Sequence, residues 1–286
     1  MKKIVGIVTI YYPDVKNIVD NINSYLNELD CLILWENTPI ADSEISRIEA
    51  LLDAENIIIR GTGQNEGLAK PFNECVSWAQ DNGYDYLLTM DQDSYFANDD
   101  FRRYLDLVQN NTDISIAIFA ANRHFLPAGK DRFVEIRTAI SSGAIYPVEI
   151  FGKTGAFMTD LFVYMVDIEF SFRAKRAGMK IVCVPSVNLE HQEGYARKSI
   201  FGLSLNNYSA QSTYYIIRNT FLIWKLYPEY TTKQDKRSFF KYKIAYRLLK
   251  LIFEEEVFFK FKAIFCGLLH GIQSKKGKYD INSHKK

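Results

Sequence analysis

Hydrophobic residues near the start of the chain alternate between two patterns. Short continuous runs of β-branched residues are typical of strands buried on both faces, and apolar residues every three or four positions are typical of helices that bury one face. The pattern predicts strands at Ile4–Ile10, Cys31–Trp35, Ile57–Arg60 and Tyr84–Met90. It predicts helices over residues 14–29, 42–53 and 67–80. This alternation predicts an α/β fold with a mostly parallel sheet and helices on both of its faces.

The alternation loosens after Asp99. Further elements are predicted as strands over 114–122, 141–148 and Lys180–Pro185, a strand-like run over Leu161–Val166, and a helix over Asp167–Ala177. No internal repeat or low-complexity linker is found, so residues 1–225 are predicted to form one domain. Ligands of parallel sheets gather where the strands end, which directs attention to the residues just after each strand.

Residues 226–286 differ from the body and are predicted to form a tail of amphipathic helices. Apolar residues recur there at helical spacing in two sets: Phe240, Ile244, Leu248 and Leu251, then Phe258, Phe261, Phe265, Leu268 and Ile272. Residues 233–286 carry a net charge of +9, against −8 for residues 1–232. A basic border beside a bulky apolar face is typical of a helix that lies on a membrane surface. The alternative is that both sets pack on the body or on a second subunit, as in a homodimer.

Composition narrows the class of protein. The chain has 286 residues, of which 48% are hydrophobic and 24% charged, and these proportions exclude a disordered chain. The net charge of +1 gives no general signal for a polyanionic partner. The four cysteines form no C-x-x-C pair, so a disulfide framework and a zinc–thiolate site are not expected. Their spacing instead indicates buried thiols in a protein of the reducing cytoplasm. The N-terminus predicts a strand and not a signal peptide, and no apolar run is long enough to predict a membrane-spanning helix.

Asp91 and Asp93 come directly after the fourth predicted strand, with Gln92 between them. Two carboxylates at the carboxyl end of a parallel strand can share a hard divalent cation, and Mg²⁺ or Mn²⁺ at such a site leaves positions for phosphate oxygens. The alternative is an acidic turn exposed to water. His191 follows the last predicted strand and is either a structural histidine or a further ligand.

Asp167 lies at the predicted start of a helix. It is either an N-cap that only stabilises the helix or a general base held at the helix start. Glu169 and Arg173 lie four residues apart on that helix and are expected to form a surface ion pair.

Four segments, in this order and spacing, resemble the family 2 glycosyltransferases of the bacterial rhamnosyltransferase-like group, which have the GT-A fold. They are the sequence IVTIYYPDVKNIVDNI with the first strand, Asn65–Ser94 with the Asp-Gln-Asp sequence, Ser141–Gly194 with Asp167 and His191, and Tyr214–Phe221 with a Tyr-Tyr-x-x-Arg-Asn signature. The resemblance covers most of residues 3–225.

The resemblance implies roles for individual residues. Asp167 matches the catalytic base, although Val166 stands where the family has a glutamate. The matching metal ligands, for Mg²⁺ or Mn²⁺, are Asp91, Asp93 and His191. The residues expected near the nucleotide are Thr9, Tyr11, Glu36 (where aspartate is more usual), Asn37, Asn65, Asp91 and Gln92. Small residues that can bring the backbone close to the sugar are Ser142, Gly143 and Gly155.

The expected function is inverting, metal-dependent transfer of a sugar from a nucleoside diphosphate to a saccharide hydroxyl. The resemblance implies dTDP-rhamnose as the first choice of donor, with UDP-galactofuranose, UDP-galactose or another UDP-sugar as the alternative. The expected acceptor is a lipid-linked saccharide of a cell-surface polysaccharide such as O-antigen or capsule, which predicts a peripheral protein on the inner face of the plasma membrane.

Other classes of function fit the sequence less well. A sugar-nucleotide pyrophosphorylase would need an early Gly-rich loop ending in Thr-Arg, which is absent. The aromatic residues of the tail follow helical spacing and form no evident stacking platform for nucleic acid, so no nucleic-acid partner is expected. A non-catalytic carbohydrate-binding or assembly module is the remaining alternative from another class.

Overall fold

We describe a computed structural model of the chain, which covers residues 2–97, 99–127, 132–191, 198–200, 203–205, 208–251, 254 and 256–280. The chain divides into two compact units: Met1–Met158 with Val166–Gln192, and Thr159–Met165 with Glu193–Lys286. The functional domain boundary predicted near residue 225 stays a prediction, and residues 281–286 of the predicted tail lie outside the described residues.

A single large sheet organises the first unit. Its strands are β1 Ile4–Ile10, β2 Cys31–Glu36, β3 Ile57–Gly61, β4 Tyr86–Asp91, β5 Ser94–Phe96, β6 Ile116–Asn122, β7 Val134–Glu135, β8 Ala144–Pro147 and β9 Lys180–His191. Its helices are α1 Val15–Asn23, α2 Ile45–Leu52, α3 Ala69–Asp81, α4 Asp100–Gln109, α5 Phe151–Thr154 and α6 Val166–Arg176. The strand order is β3-β2-β1-β4-β8-β6-β9-β5, and β7 pairs with β9.

The parallel part of the sheet agrees with the alternation in the sequence. Strands β3, β2, β1 and β4 run parallel, and the antiparallel β8 lies between β4 and β6. Every residue of β1 is buried, because α1, α2 and α4 contribute to the apolar cluster that contains Ile4 and Val8 and because α3 also contacts β1. The strands therefore form a buried layer whose carboxyl ends carry the polar residues.

Strand β9 is longer than the predicted Lys180–Pro185, because it changes partners along its length. Its first part pairs with β6 in a ladder whose register shifts between Val184 and Asn188, and its end pairs with β5. Proline cannot donate to a ladder and is tolerated where a strand is irregular, so Pro185 does not end this strand. The extension carries the chain to His191.

The segment Leu161–Val166 is not a strand, which corrects the prediction. Its backbone enters the left-handed region, with φ of +65° at Phe162, +62° at Tyr164 and +65° at Met165. Asn219 Nδ2 lies within 2.8–3.0 Å of three carbonyl oxygens of this segment, so a side chain and not a neighbouring strand satisfies the backbone. The apolar run marks burial, which the hydrophobic pattern alone cannot distinguish from a strand.

The second unit is mostly helical. Its elements are β10 Lys198–Ile200, β11 Leu203–Leu205, α7 Ala210–Leu226, α8 Lys233–Ser238, a π-helix Phe239–Ala245, α9 Tyr246–Lys250 and α10 Val257–Ile272. Helices α7 and α10 pack closely, and Gly267 and Gly271 of α10 permit this approach. A Cβ at Gly267 would lie 3.0 Å from Ile217 Cβ, and one at Gly271 would lie 2.8 Å from Phe221 Cβ.

The predicted Phe-rich face of α10 does not pack within this unit. Phe258, Phe261, Phe265 and Ile272 are 74%, 57%, 60% and 62% exposed, and only Leu268 of that set is partly buried. Among the described residues, no helix combines the length and the apolar character that crossing a bilayer requires.

Candidate active site

Acidic residues lie where the parallel strand β4 ends. Asp91 is the last residue of β4 and pairs in register with Thr9 of β1, and Asp93 follows two residues later. The backbone N–H of Asp91 donates to Ser142 Oγ at 3.2 Å. The sheet therefore holds the first carboxylate at its carboxyl edge, as the sequence predicts.

The pairing of β9 with β5 brings His191 to these carboxylates. In the ladder between β5 and β9, His191 lies opposite Ser94, which is the residue that follows Asp93. Its Nδ1 lies 2.9 Å from Ser94 Oγ and 3.2 Å from Asp93 Oδ1. One ligand atom each from Asp91, Asp93 and His191 lie within 4.8 Å of one another.

This donor set fits a small divalent cation. Two carboxylate oxygens and one imidazole nitrogen are ligands that Mn²⁺ accepts, and the oxygens suit Mg²⁺ equally. The geometry brings together all three residues that the sequence analysis named as metal ligands.

Electrostatics link this cluster to Asp167. Burial raises the pKa of Asp91 to about 7, and the negative charges of Asp93 and Asp167 add to the rise. The charge of Arg123 acts in the opposite direction. Like charges held together disfavour ionisation, and a bound cation would reverse that penalty.

Asp167 lies in the first turn of α6, because the helix begins at Val166. It is therefore not the N-cap of this helix, which was one of the two roles predicted for it. Burial raises the pKa of Asp167, while backbone N–H groups of Ile168 and Ser141 oppose the rise by donating to its carboxylate. The bond from Ile168 N measures 2.8 Å. Asp167 has no ion-pair partner within the part of the chain that the structure describes.

Glu169, two residues further on, has a different environment. It is completely buried and forms a bidentate pair with Arg173, with Nε–Oε1 at 3.0 Å and Nη2–Oε2 at 2.7 Å. The expected surface ion pair is therefore a buried one. Arg173 Nη1 also donates to Thr154 O at 2.6 Å, which fixes the backbone just before Gly155, whose φ is +75°.

The turn at Ser141–Gly143 lies between the two acidic groups. Ser141 donates its backbone N–H to Asp167, and the Ser142 hydroxyl accepts from Asp91 N. Gly143 has φ of +71°, and a Cβ there would lie 2.9 Å from Leu189 Cδ2. This turn therefore needs glycine, and it holds the metal-side and base-side carboxylates in one arrangement.

Side chains predicted to bind the nucleotide also shape the loops they occupy. Gln92 binds the backbone of Tyr11 twice, with Tyr11 N–Oε1 at 2.8 Å and Nε2–Tyr11 O at 3.1 Å. Glu36 accepts from Thr38 N at 2.8 Å and from the Ser43 hydroxyl. These contacts hold the loops after β1 and β2 beside the end of β4.

The loop before α3 is organised by two asparagines. Asn65 Oδ1 accepts from Gly67 N at 3.0 Å, and Asn37 contacts both Gly67 O at 2.8 Å and Glu66 N at 3.0 Å. Nucleotide contacts of Asn37 and Asn65 stay a prediction.

Three residues near the carboxyl edge of the sheet were not predicted as site residues from the sequence. Arg123 follows β6 and is close enough to Asp91 to lower its pKa, and its strand-end position was a usable signal. Trp35 and Arg60 lie in register with Thr9 across β1–β3. Among the described residues, Thr9 Oγ1, Trp35 Nε1 and Arg60 Nε are buried atoms without a hydrogen-bond partner. Such atoms favour a polar ligand.

Comparison with known sequences shows which protein family the chain matches. A family model described as Glycosyl transferase family 2 matches residues 7–166, which include Asp91 and Asp93 and end one residue before Asp167. The dTDP-rhamnosyl transferase RfbF of Shigella flexneri is 26% identical over 240 residues, which are 77% of this chain and 79% of RfbF.

Solved structures share the fold. S. aureus TarS 1-349 in complex with UDP-GlcNAc matches with a TM-score of 0.55 and 15% identity over 96% of this chain and 81% of that one. GalNAc-T7 with UDP, GalNAc and Mn²⁺ matches with a TM-score of 0.55 and 11% identity, over 88% of this chain and 57% of that one. This chain spans 39% of a longer TarS structure. At these identities the likeness shows the fold alone.

Proposed function

The chain belongs to glycosyl transferase family 2, and on that premise we propose that it is an inverting transferase that uses a divalent cation, with Asp167 as its base. Its GT-A fold and its transferase class were both predicted from the sequence, and both are confirmed. One observation carries the proposal: the Asp167 charge acts on Asp91 at the end of β4, so the candidate base and the candidate metal ligands share one site.

The chain's own residues supply the other parts of the reaction. Asp91, Asp93 and His191 would hold Mg²⁺ or Mn²⁺, which when bound stabilises negative charge on a departing diphosphate. Asp167 accepts the proton of the acceptor hydroxyl. The hydroxyl oxygen bonds to the anomeric carbon as the bond from that carbon to the diphosphate oxygen breaks, and the nucleoside diphosphate leaves with the electron pair. Attack opposite the leaving group inverts the anomeric centre.

For the donor we propose dTDP-rhamnose, because RfbF is a dTDP-rhamnosyl transferase by name. A UDP-sugar, such as UDP-galactofuranose or UDP-galactose, is the alternative, and TarS binds UDP-GlcNAc on a similar fold. The residues proposed to contact the nucleoside lie at or after the carboxyl ends of β1, β2 and β3, and they are Thr9, Tyr11, Glu36 and Asn65.

For the acceptor we propose a lipid-linked saccharide of a cell-surface polysaccharide, met at the inner face of the plasma membrane. The exposed phenylalanines of α10 and the +9 charge of residues 233–286 support membrane association. Co-sedimentation of the full chain with anionic vesicles should fall when Phe258 and Phe261 are both changed to serine. Unchanged sedimentation, with dimers that the same change dissociates, would favour the homodimer instead.

The experiment that tests the activity is a donor panel with saccharide acceptors, read out as released nucleoside diphosphate. We expect release that requires Mn²⁺ or Mg²⁺ and that is strongly reduced in Asp167→Asn. Asp20→Asn, which changes an exposed carboxylate on α1, is the matched control. Binding of nucleotide without turnover of any donor would favour the non-catalytic carbohydrate-binding module.

A further inference from the structure

Two cations of the second unit lie against the same aromatic ring. Lys243, near the end of the π-helix, and Arg247, in α9, are four residues apart. Lys243 Nζ lies 5.9 Å and Arg247 Cζ 4.9 Å from the centre of the Tyr208 ring. Cations at this spacing on one helix face repel each other. Desolvation by neighbouring groups lowers the pKa of both side chains, and for Lys243, which is still exposed, the charge of Arg247 adds to the effect.

More positive charge surrounds this pair. Lys250 is buried with its Nζ 4.3 Å from the Tyr246 ring, and its pKa is lowered by burial and by Arg247. Glu254 is the carboxylate whose charge acts on Arg247 and Lys250, and its Oε2 lies 2.9 Å from Nζ of the buried Lys260. Positive charge is therefore concentrated around Arg247, and Glu254 is a carboxylate that acts on three of the nearby cations, Arg247, Lys250 and Lys260.

Arg247 is incompletely satisfied. Its Nη1 is buried and has no hydrogen-bond partner in the described chain. A buried donor without an acceptor costs about 1–3 kcal/mol, so the arrangement favours a ligand that supplies acceptor oxygens. Arg218 shows the contrast, since its guanidinium donates to Asn219 Oδ1 at 2.8 Å and to Leu161 O at 3.0 Å.

We propose that Lys243 and Arg247 form a site for a phosphate or diphosphate ester. A guanidinium presents paired donors that match phosphate oxygens, and a lysine adds a point charge. The Tyr208 ring lies against both cations and orders their side chains, and the unpartnered Arg247 Nη1 is the donor that we assign to the ligand. The π-helix is consistent with a binding site, since such irregular turns occur frequently at functional positions.

Two sources could supply this chemistry, a diphosphate-linked acceptor or an anionic phospholipid headgroup. The first deepens the proposed function and rests on it. The phosphate site itself requires no transferase activity, so its failure and the failure of the proposed function are separate results.

The test is calorimetric titration of the full chain without divalent cations, using geranyl diphosphate and inorganic diphosphate as probes. Vesicles of phosphatidylcholine with and without phosphatidylglycerol form a second arm. Arg247→Gln and Lys243→Gln are compared with Lys241→Gln, an exposed cation on the same π-helix. Circular dichroism checks that each variant is folded, and Lys243→Gln serves if Arg247→Gln fails that check.

We expect Arg247→Gln to weaken binding of a phosphate probe at least about tenfold, because charge-assisted hydrogen bonds are lost, while Lys241→Gln changes it less than about twofold. Binding of geranyl diphosphate in solution assigns the site to a diphosphate ester, and binding only to phosphatidylglycerol vesicles assigns it to a headgroup. Absence of binding in every arm, or equal weakening by Lys241→Gln, would overturn the proposal.

Discussion

Two clusters of like charge lie in separate units of this chain and have opposite signs. In the first unit, burial raises the pKa of Asp91, and the charges of Asp93 and Asp167 add to the rise. In the second unit, desolvation and then the charge of Arg247 lower the pKa of Lys243, and both cations lie against Tyr208. Like charges held together cost free energy unless an opposite charge joins them. Each cluster therefore favours a ligand of opposite sign, a metal cation in one and a phosphate in the other.

The two clusters are built in different ways. Strand order and register place the acidic residues, since β4 ends at Asp91 and β9 pairs with β5 to bring in His191. Helical spacing places Lys243 and Arg247 on one face, and packing supplies the ring of Tyr208. A sheet edge concentrates strand ends from distant sequence positions, whereas the helical cluster depends on packing that has no short sequence signature.

The largest effect on the rate of transfer is expected when the candidate general base, Asp167, is changed. Asp167→Asn keeps the shape of the side chain and removes its capacity to accept a proton, so the rate of transfer should fall by about 10²–10⁴-fold. Single-turnover transfer with saturating donor measures this rate. Binding of nucleoside diphosphate with Mn²⁺ should change little, with Asp20→Asn as the matched control. Equal loss of binding and transfer would contradict the assignment of Asp167 as the base.

A smaller effect is expected on the metal side of the same cluster. Asp93→Ala removes an oxygen ligand beside His191, so affinity for the nucleoside diphosphate in Mn²⁺ should fall by about 100-fold, as judged from the cost of disturbing metal-ligand shells. Calorimetry with Mn²⁺ and again with EDTA separates metal-dependent binding from the rest. With EDTA the variant and the parent should bind alike, and a defect that persists there would point to misfolding or to direct nucleotide contact.

Stability measurements sharpen the comparison on the cationic side. Arg218 is fully buried and donates to backbone carbonyl groups, so Arg218→Leu leaves those acceptors unsatisfied and should lower the free energy of unfolding by about 3 kcal/mol. Arg247→Leu removes a buried charge with an unpaired donor and should change it by less than about 1 kcal/mol. Urea unfolding of the two variants provides the comparison. Equal losses would mean that Arg247 is an ordinary structural residue.

The sequence predicted the parts of the molecule that depend on local pattern. The parallel strands, Asp91 at a strand end and the helix that carries Asp167 all follow from hydrophobic period and position. The buried pair of Glu169 with Arg173 was taken for a surface pair, because spacing on a helix does not reveal which face is covered. The strained backbone after Leu161 was taken for a strand, because its hydrogen bonds go to Asn219, which is remote in sequence. Long-range polar contacts of this kind have no periodic signal.

The smallest effect is expected in the pH dependence of the transfer rate, which reports the pKa of the candidate general base, Asp167. Burial raises the pKa of Asp167 above the ordinary aspartate value of 3.8, even though Ile168 and Ser141 donate to its carboxylate. Since only the carboxylate accepts a proton, single-turnover rates should fall about tenfold per pH unit below this raised pKa. A rate that stays level down to about pH 4 would show that the base has an ordinary pKa.

The same shift carries a cost in stability whose sign follows from linkage. A carboxyl group with a raised pKa in the folded state binds its proton more tightly there than in the unfolded chain, so stability is lost as the pH rises from the ordinary pKa through the raised one. Asp167→Asn removes this penalty and should therefore raise the free energy of unfolding at neutral pH while it slows transfer. The gain should vanish below about pH 4, where Asp167 is protonated in both states. A variant that is less stable at neutral pH would indicate that the Asp167 carboxylate stabilises the fold, which is the role that Glu169 has through Arg173.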